Sequence, residues 1–236
     1  MAYKKAKPFW RWSARLILLV LAALLIYQFW IFGNVVWWIW FNPSNSAFME
    51  ERLEVLQARN PEAELRHRWV SYEKISIHLK RALIAAEDAK FLDHDGFDWE
   101  AIQKAYEKNL KKGKVVAGGS TISQQLAKNL FLSGRRTPWR KAEEALITLM
   151  LENVMSKRRI FEIYLNVIEW GNGVFGAEAA ARYYFGVSAA NLGPAQAARM
   201  AAMVPKPRYY DKVRQTPLLE RQTGIILNRM PDSQVP

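Results

Sequence analysis

The sequence predicts an all-α protein, and three observations support this fold class. From about Ser76 onward, apolar residues recur at helical spacing almost throughout the chain of 236 residues. Glycine and proline interrupt the pattern at intervals, and neither a convincing run of alternating strand residues nor an internal repeat is present. At most, short hairpins are expected between helices. Helices are predicted near residues 76–90, 98–112, 121–131, 138–155, 157–168, 176–184 and 194–203.

The first element is a long uncharged stretch that follows a basic tail. Residues 1–15 carry five Lys and Arg side chains and no acid, whereas residues 16–41 carry no charge. About 20 apolar residues span a bilayer, and Trp and Tyr suit its interfaces. We therefore expect residues 16–41 to form a transmembrane anchor with an interfacial segment. The positive-inside rule places the N-terminus in the cytoplasm and the remaining chain outside.

Composition narrows the possible partners. The chain has no cysteine, which excludes disulfides and thiolate chemistry, and its formal net charge is +12. A basic domain beside a membrane suits anionic lipids or lipid-linked phosphates. Nucleic acid would explain the charge but not the anchor, so we expect membrane lipids and no nucleic acid among the partners.

The part of the chain after the anchor divides into three segments. Residues 42–74 contain two prolines and one short helical pattern, and we interpret them as a juxtamembrane segment. Residues 75–228 are long enough for one sizeable domain. Residues 229–236 are expected to form a frayed tail.

The first helix of this domain ends in two adjacent acids, Glu87 and Asp88. Acids at a helix C-terminus oppose the helix dipole, so another interaction must favour them. A carboxylate beside apolar residues has a raised pKa and can act as a general base or acid. The alternative is an ordinary ion pair with Lys80 or Lys90.

A glycine pair followed by a short amphipathic helix forms the sequence GGSTISQQLAKN, residues 118–129. Thr121 and Gln124 fit a capping box, so the helix is predicted to start there. Its free N–H groups, together with Gln125 and Lys128, suit an anionic, hydroxyl-rich ligand. The alternative is a solvated helix face.

A further carboxylate lies on the next helix, which begins with Thr137 and Pro138. Glu144 is flanked there by apolar residues, and Arg140 one turn earlier could simply pair with it. Two carboxylates close to several cations are, however, what glycosyl transfer from a diphosphate donor requires. The neighbouring cations are Lys128, Arg135, Arg136, Arg140 and Lys141.

Five motifs, in order, resemble a known family. They are EDAKFLDHDG (87–96), GGSTISQQLAKN (118–129), RKAEE (140–144), KRRIFEIYLN (157–166) and RMAAMVP (199–205). Over about residues 75–210 the chain resembles the peptidoglycan glycosyltransferase domain of penicillin-binding proteins, in its stand-alone, monofunctional form. The resemblance implies a lysozyme-like, two-lobed helical domain behind the transmembrane helix.

The resemblance also implies an activity, which is the polymerisation of lipid II into β-1,4-linked glycan strands by inverting transfer. Glu87 matches the family's general base and Glu144 its second essential glutamate. Asp88 would position the base or a divalent ion. For Arg199 two roles stay open, a substrate contact or a part of the scaffold. The implied substrate-binding residues are Asp88, Ser120, Gln124, Gln125, Lys128, Arg136, Arg140, Lys141 and Arg199.

The remaining expectations concern cofactors, partners and location. No protein metal site is indicated and no cofactor is required, although Mg²⁺ or Mn²⁺ is plausible beside a diphosphate leaving group. The expected partners are lipid II, the growing glycan strand and other cell-wall synthesis proteins. The expected location is the bacterial inner membrane, with the catalytic domain in the periplasm. Two alternatives stay open, namely a lysozyme-like lytic enzyme and a non-catalytic membrane-anchored scaffold.

Overall fold

The computed structural model describes residues 8–114, 118–134 and 137–236. These ranges are mainly helical, and the all-α prediction is confirmed. The helices are α1 Pro8–Trp37, α2 Ala47–Gln57, α3 Ile77–Glu87, α4 Trp99–Lys112, α5 Ile122–Phe131, α6 Pro138–Val154, α7 Lys157–Val167, α8 Ala177–Phe185, α9 Pro194–Met203, α10 Pro207–Lys212 and α11 Pro217–Arg229. The strands are β1 Arg66–His67, β2 Glu169–Gly171 and β3 Val174–Phe175.

Two groups of helices build the two halves of the domain. In one group α5 packs against α6 and α7, and in the other α9 packs against α3 and α11. The apolar stripe of α5 is buried as its spacing predicts, with Ile122 and Leu126 fully enclosed. Burying one such side chain stabilises the fold by about 1.5–3 kcal/mol. The apolar contacts therefore fix the positions of the polar ends of α3, α5 and α6.

Side-chain caps fix the starts of α5 and α6. At α5 the amide of Gln124 donates to Thr121 Oγ1 at 3.2 Å, and the amide of Thr121 donates to Gln124 Oε1 at 3.0 Å. This is the predicted capping box. At α6 Thr137 Oγ1 accepts from the amide of Arg140 at 3.2 Å, and Pro138 occupies the first turn.

Two glycines allow close approach of backbone to neighbouring helices. Gly96 has φ +89°, and a Cβ there would lie 2.7 Å from Thr148 Cγ2 on α6. A Cβ at Gly119 would lie 2.9 Å from the Cα of Ile102 on α4. The α3–α4 loop can therefore lie against α6, and the chain leading into α5 can lie against α4.

Residues 42–74 pack on the domain. Strand β1 pairs in parallel with β3, and β3 pairs antiparallel with β2 in a short hairpin. Helix α2 packs on α5 and buries Met49. The Asn166 side chain pairs in both directions with the backbone of Val70 at 3.0 Å. This segment therefore contributes to the same core as the helices that follow it.

Helix α1 contains an apolar stretch, Trp12–Trp37, that is long enough to cross a membrane. Its C-terminal part contacts the domain, where Ile31 and Val35 are buried and α1 packs against α6. Arg159 of α7 binds the residues that follow the helix. It donates to Trp38 O at 2.8 Å and to Phe41 O at 2.7 Å. The candidate anchor is thus held directly by the domain.

The C-terminal residues differ from the expectation of a frayed tail. Met230 is buried, and the Tyr72 hydroxyl donates to the carbonyl oxygen of Pro236 at 2.7 Å. Val235 packs against the core. The frayed-tail expectation was wrong because packing on the core holds these residues, and Pro236 is bound by Tyr72, which lies far away in the sequence.

Candidate active site

Glu87 is the last residue of α3, and the buried apolar face of that helix places it beside α5. Its Oε2 accepts from Gln125 Nε2 at 2.7 Å. Burial raises the pKa of Glu87 above its ordinary value, and the adjacent Asp88 carboxylate acts in the same direction. The Gln125 hydrogen bond and the Lys128 ammonium group oppose this rise. The result is a carboxylate suited to proton transfer.

Asp88 is buried, with 7% of its surface exposed, and its oxygens are already occupied. Oδ1 lies 3.0 Å from His94 Nε2, and Oδ2 accepts from the amide of Ile122 at 2.9 Å. The amide of Gly96 donates to His94 Nδ1 at 3.2 Å, so Nε2 carries the hydrogen and donates to Asp88. Asp88 therefore joins the end of α3 to the start of α5.

Lys80 and Lys90, the alternative partners of the two acids, make other contacts. The Lys80 ammonium lies 3.8 Å from the centre of the Tyr72 ring, and Lys90 pairs with Glu100. The polar residues of α5 are not a solvated face either, since Ser123, Gln124 and Asn129 are buried. The ion-pair alternative for Glu87 and Asp88 and the solvated-face alternative for α5 are therefore not supported.

Glu144 is buried on α6, with 3% of its surface exposed, and it pairs with two cations from the same helix. Arg140 Nη1 donates to Glu144 Oε2 at 2.8 Å, and Lys141 Nζ donates to Glu144 Oε1. The Arg140 pair was the structural alternative at this position, and it is present. Because Lys141 shares the carboxylate, Glu144 holds two positive charges at the start of α6.

A cleft of about 1040 Å³ is lined by α5, by the start of α6 and by the chain around β2 and α10. Glu87 and Glu144 do not line this cleft, but both hydrogen-bond to residues that do. Glu87 accepts from Gln125, and Glu144 accepts from Arg140 and Lys141. Five of the expected substrate-binding residues line the cleft, namely Ser120, Gln125, Lys128, Arg140 and Lys141. The structure therefore brings most of the expected cations to one surface.

Three of the other expected substrate-binding residues lie away from that surface. Asp88 makes the buried contacts described above, and the Gln124 side chain closes the capping box. Arg199 lines a separate cavity of about 90 Å³ and donates to the backbone oxygen of Arg214. Arg136 lies outside the described residues.

Part of the cleft lining was missed in the sequence analysis. This part includes Phe48 from α2, and Glu169, Lys206 and Arg208 from the chain around β2 and α10. Arg208 Nε donates to Glu169 Oε1 at 2.8 Å, and Phe48 lies 5.3 Å from Lys128 Nζ. The signal available for Lys206 and Arg208 was their basic character directly after the RMAAMVP motif. No local pattern indicated Phe48.

A protein metal site requires several His, Asp or Glu side chains close together. Among the residues that the structure describes, no group of three or more such side chains could hold a metal ion. Asp88, the carboxylate considered for a divalent ion, directs its oxygens at His94 and Ile122.

Known proteins match the chain over nearly its whole length. The transglycosylase family model matches residues 53–231. A biosynthetic peptidoglycan transglycosylase from Nitrosospira multiformis is 66% identical, over 97% of this chain and 99% of the relative. A protein of the same name from Methylobacillus flagellatus is 67% identical, over 97% of this chain and 98% of the relative. The chain therefore belongs to the transglycosylase family.

Proposed function

We propose that this protein polymerises lipid II into β-1,4-linked glycan strands of peptidoglycan and releases the polyprenyl diphosphate. The observation that carries the proposal is the position of Glu87, a partly buried carboxylate that hydrogen-bonds to Gln125, beside a cleft lined by Lys128, Arg140 and Lys141. Family membership and the names of the relatives support the same reaction.

In the proposed reaction Glu87 acts as the general base. Its carboxylate takes the proton of the acceptor sugar's 4-hydroxyl as that oxygen attacks C1 of the donor sugar. The bond from C1 to the phosphate oxygen breaks, and the diphosphate leaves with the bonding electrons. Attack opposite the leaving group inverts the α-linkage to β. Glu87 then releases its proton to solvent.

The cations supply the electrostatic stabilisation that the leaving group needs. Negative charge accumulates on the departing diphosphate, and Lys128, Arg140 and Lys141 face the cleft where it would lie. We propose that Glu144 keeps Arg140 and Lys141 aimed at this position, consistent with its two ion pairs. Ser120 and Gln125 are proposed to contact the sugar or the phosphates.

Other residues receive a supporting role or none in this proposal. Asp88 is proposed to fix the end of α3, and with it Glu87, through His94 and the α5 amide. Gln124 is proposed to set the start of α5. Arg199 is given no substrate role because it lines a separate cavity. Arg136 stays a sequence-based prediction.

We also propose that the cleft lies at the level of the lipid headgroups on the outer face of the inner membrane. Glu143, on the same turn as Arg140, lies beside Tyr27 of α1. Trp139, Leu146 and Leu149 are exposed apolar residues on α6, as contact with lipid requires. Other cell-wall synthesis proteins remain candidate partners.

The orientation can be tested by labelling, because the chain has no native cysteine. Gln234→Cys, at an exposed position, should react in intact spheroplasts with a membrane-impermeant maleimide. Ala6→Cys, in the basic tail, should react only after the membrane is permeabilised. The reverse labelling pattern would contradict the proposed orientation.

The cations that line the cleft also distinguish the proposed function from the two alternatives, a lytic enzyme and a non-catalytic scaffold. A lytic enzyme needs a catalytic carboxylate but has no diphosphate leaving group for Lys128, Arg140 and Lys141 to bind. A scaffold needs neither the carboxylate nor the cations. Purified protein in detergent should convert lipid II to polymer, and cleavage of finished glycan without polymerisation would favour the lytic alternative.

Lys128→Ala should raise the KM for lipid II and lower kcat/KM by about 10- to 100-fold, because a charge facing the leaving diphosphate is lost. The melting temperature should change little. Lys74→Ala is the matched control, since Lys74 is exposed near the start of α3, at the opposite end of that helix from Glu87. A melting defect in Lys128→Ala with unchanged kinetics would instead assign Lys128 a structural role.

A further inference from the structure

Tyr164 of α7 contacts the site from the core side. Its ring is completely buried, and its hydroxyl donates to Gln125 Oε1 at 3.1 Å. The same amide donates from Nε2 to Glu87 Oε2 at 2.7 Å. Tyr164, Gln125 and Glu87 therefore form a short chain of hydrogen bonds that runs from the protein core to the carboxylate.

The chemistry of the three groups permits only one direction of donation while Glu87 is ionised. A carboxylate can only accept, so it selects the NH₂ end of the Gln125 amide. The carbonyl end then faces Tyr164, which must donate. Burial and the Glu87 and Asp88 carboxylates hold the pKa of Tyr164 well above its ordinary value, so the hydroxyl keeps its proton. Tyr164 can thus serve as a permanent donor.

We infer that Tyr164 is a positioning residue for the base, because it fixes the Gln125 amide with its NH₂ group directed at Glu87. This inference rests on the proposed role of Glu87. Without the hydroxyl, the amide can rotate by a half turn and present its carbonyl oxygen to Glu87. That arrangement favours the protonated acid, which cannot take a proton from the acceptor sugar.

The charges around Glu87 determine how large this effect can be. Lys128 on α5 favours the ionised form, whereas the adjacent Asp88 and the surrounding burial favour the protonated form. Tyr164 approaches from α7 and contributes no charge. Burial has the largest influence on the pKa of Glu87 and disfavours its ionised form. The hydrogen bond that Gln125 donates opposes burial, so losing it should measurably lower the ionised fraction of Glu87.

The test is the pH dependence of kcat/KM for lipid II polymerisation by the full-length protein in detergent. In Tyr164→Phe the acidic limb should move up by about 1 pH unit, and the rate below it should fall by about tenfold. The rate on the high-pH plateau should be retained. The position of the limb does not depend on the amount of folded enzyme, so a partial folding defect does not obscure the result.

Tyr72→Phe is the matched control, because Tyr72 is also a buried tyrosine whose hydroxyl makes one hydrogen bond, to Pro236 O at 2.7 Å. Both tyrosines pack on Phe161, but of the two only Tyr164 contacts Gln125. The pH profile of Tyr72→Phe should match the parent's. An equal shift in both variants would overturn the inference by assigning the effect to the core as a whole.

A double variant tests whether Tyr164 acts through Gln125. Gln125→Ala should itself move the acidic limb upward, and adding Tyr164→Phe should produce no further movement. Additive shifts would overturn the inference, as would an unshifted limb in Tyr164→Phe. Either result leaves the proposed function standing if Glu87→Gln is inactive, whereas an active Glu87→Gln variant would remove the proposed base.

Discussion

Glu87→Gln should reduce lipid II polymerisation by about 10²- to 10⁴-fold, the range that a positioned general base contributes. Glutamine has nearly the same shape as glutamate but cannot accept the proton of the acceptor hydroxyl. It can still pair with Gln125, whose amide contacts Glu87 at 2.7 Å. The loss should therefore appear in kcat, and the binding of lipid II should be largely retained.

The stability of this variant should move in the opposite direction from its activity. Burial raises the folded-state pKa of Glu87 above its unfolded value, so the folded protein favours the protonated acid. That contribution to stability is fully present below the unfolded pKa and is lost as pH rises through the folded pKa. Above its folded pKa, Glu87 holds a charge that burial disfavours. Glu87→Gln removes this cost, so its melting temperature should equal or exceed the parent's, and its advantage should grow as pH rises through the folded pKa.

The combination of lost activity and retained stability distinguishes a catalytic role from a structural one. The two measurements are the polymerisation rate in detergent and thermal unfolding followed by circular dichroism. Glu220→Gln is the matched control, since Glu220 is exposed on α11 and does not line the cleft. A Glu87→Gln variant that polymerises at the parental rate would show that Glu87 is not the base.

Much of the architecture could be predicted because it depends on local patterns. The apolar stripe of α5 and the Thr121–Gln124 capping box both follow from residues within two turns of one another. The Arg140–Glu144 pair is likewise an i, i+4 contact. Where the structure departs from expectation, the deciding contacts join residues far apart in the chain. Pro236, for example, is held by Tyr72, 164 positions away.

The candidate site also contains some residues that could be predicted from the sequence and others that depend on long-range contacts. Motif order selected Glu87 and Glu144, and side-chain chemistry selected cations that line the cleft. Side-chain chemistry gave Gln124 and its neighbour Gln125 the same expected role, although of the two only Gln125 lines the cleft. One residue along a helix is a rotation of about 100°, which turns one amide toward the cap and the other toward Glu87. The rest of the cleft lining, which includes Phe48 and Arg208, is assembled by tertiary packing.

Asp88→Asn should destabilise the protein by about 2–3 kcal/mol and lower its melting temperature by about 5–10 °C. Asp88 accepts from two donors, His94 Nε2 and the amide of Ile122, in a site that is nearly closed to water. Asparagine has the same shape but offers one acceptor oxygen and one NH₂ group, which can only donate. Because Oδ2 also lies 3.2 Å from His94 Nε2, an asparagine oxygen in that place keeps the Ile122 bond, but its NH₂ group then faces the His94 N–H from the Oδ1 position.

A change of histidine tautomer does not resolve the conflict. If Nε2 of His94 became the acceptor for the new NH₂ group, Nδ1 would carry the hydrogen. It would then oppose the amide of Gly96, which donates to Nδ1 at 3.2 Å. Either arrangement leaves one buried donor unpaired, so the cost of an unsatisfied group applies in both.

Glu87→Gln and Asp88→Asn should lose different properties, which distinguishes the roles of the two adjacent acids at the end of α3. Asp88→Asn should lose stability first, with activity per folded molecule falling less than in Glu87→Gln, since Glu87 is retained but its helix end is held less firmly. Asp95→Asn, at an exposed position in the same loop, should leave the melting temperature unchanged. If Asp88→Asn instead kept the parental melting temperature and abolished polymerisation, Asp88 would act directly on the substrate or on a divalent ion.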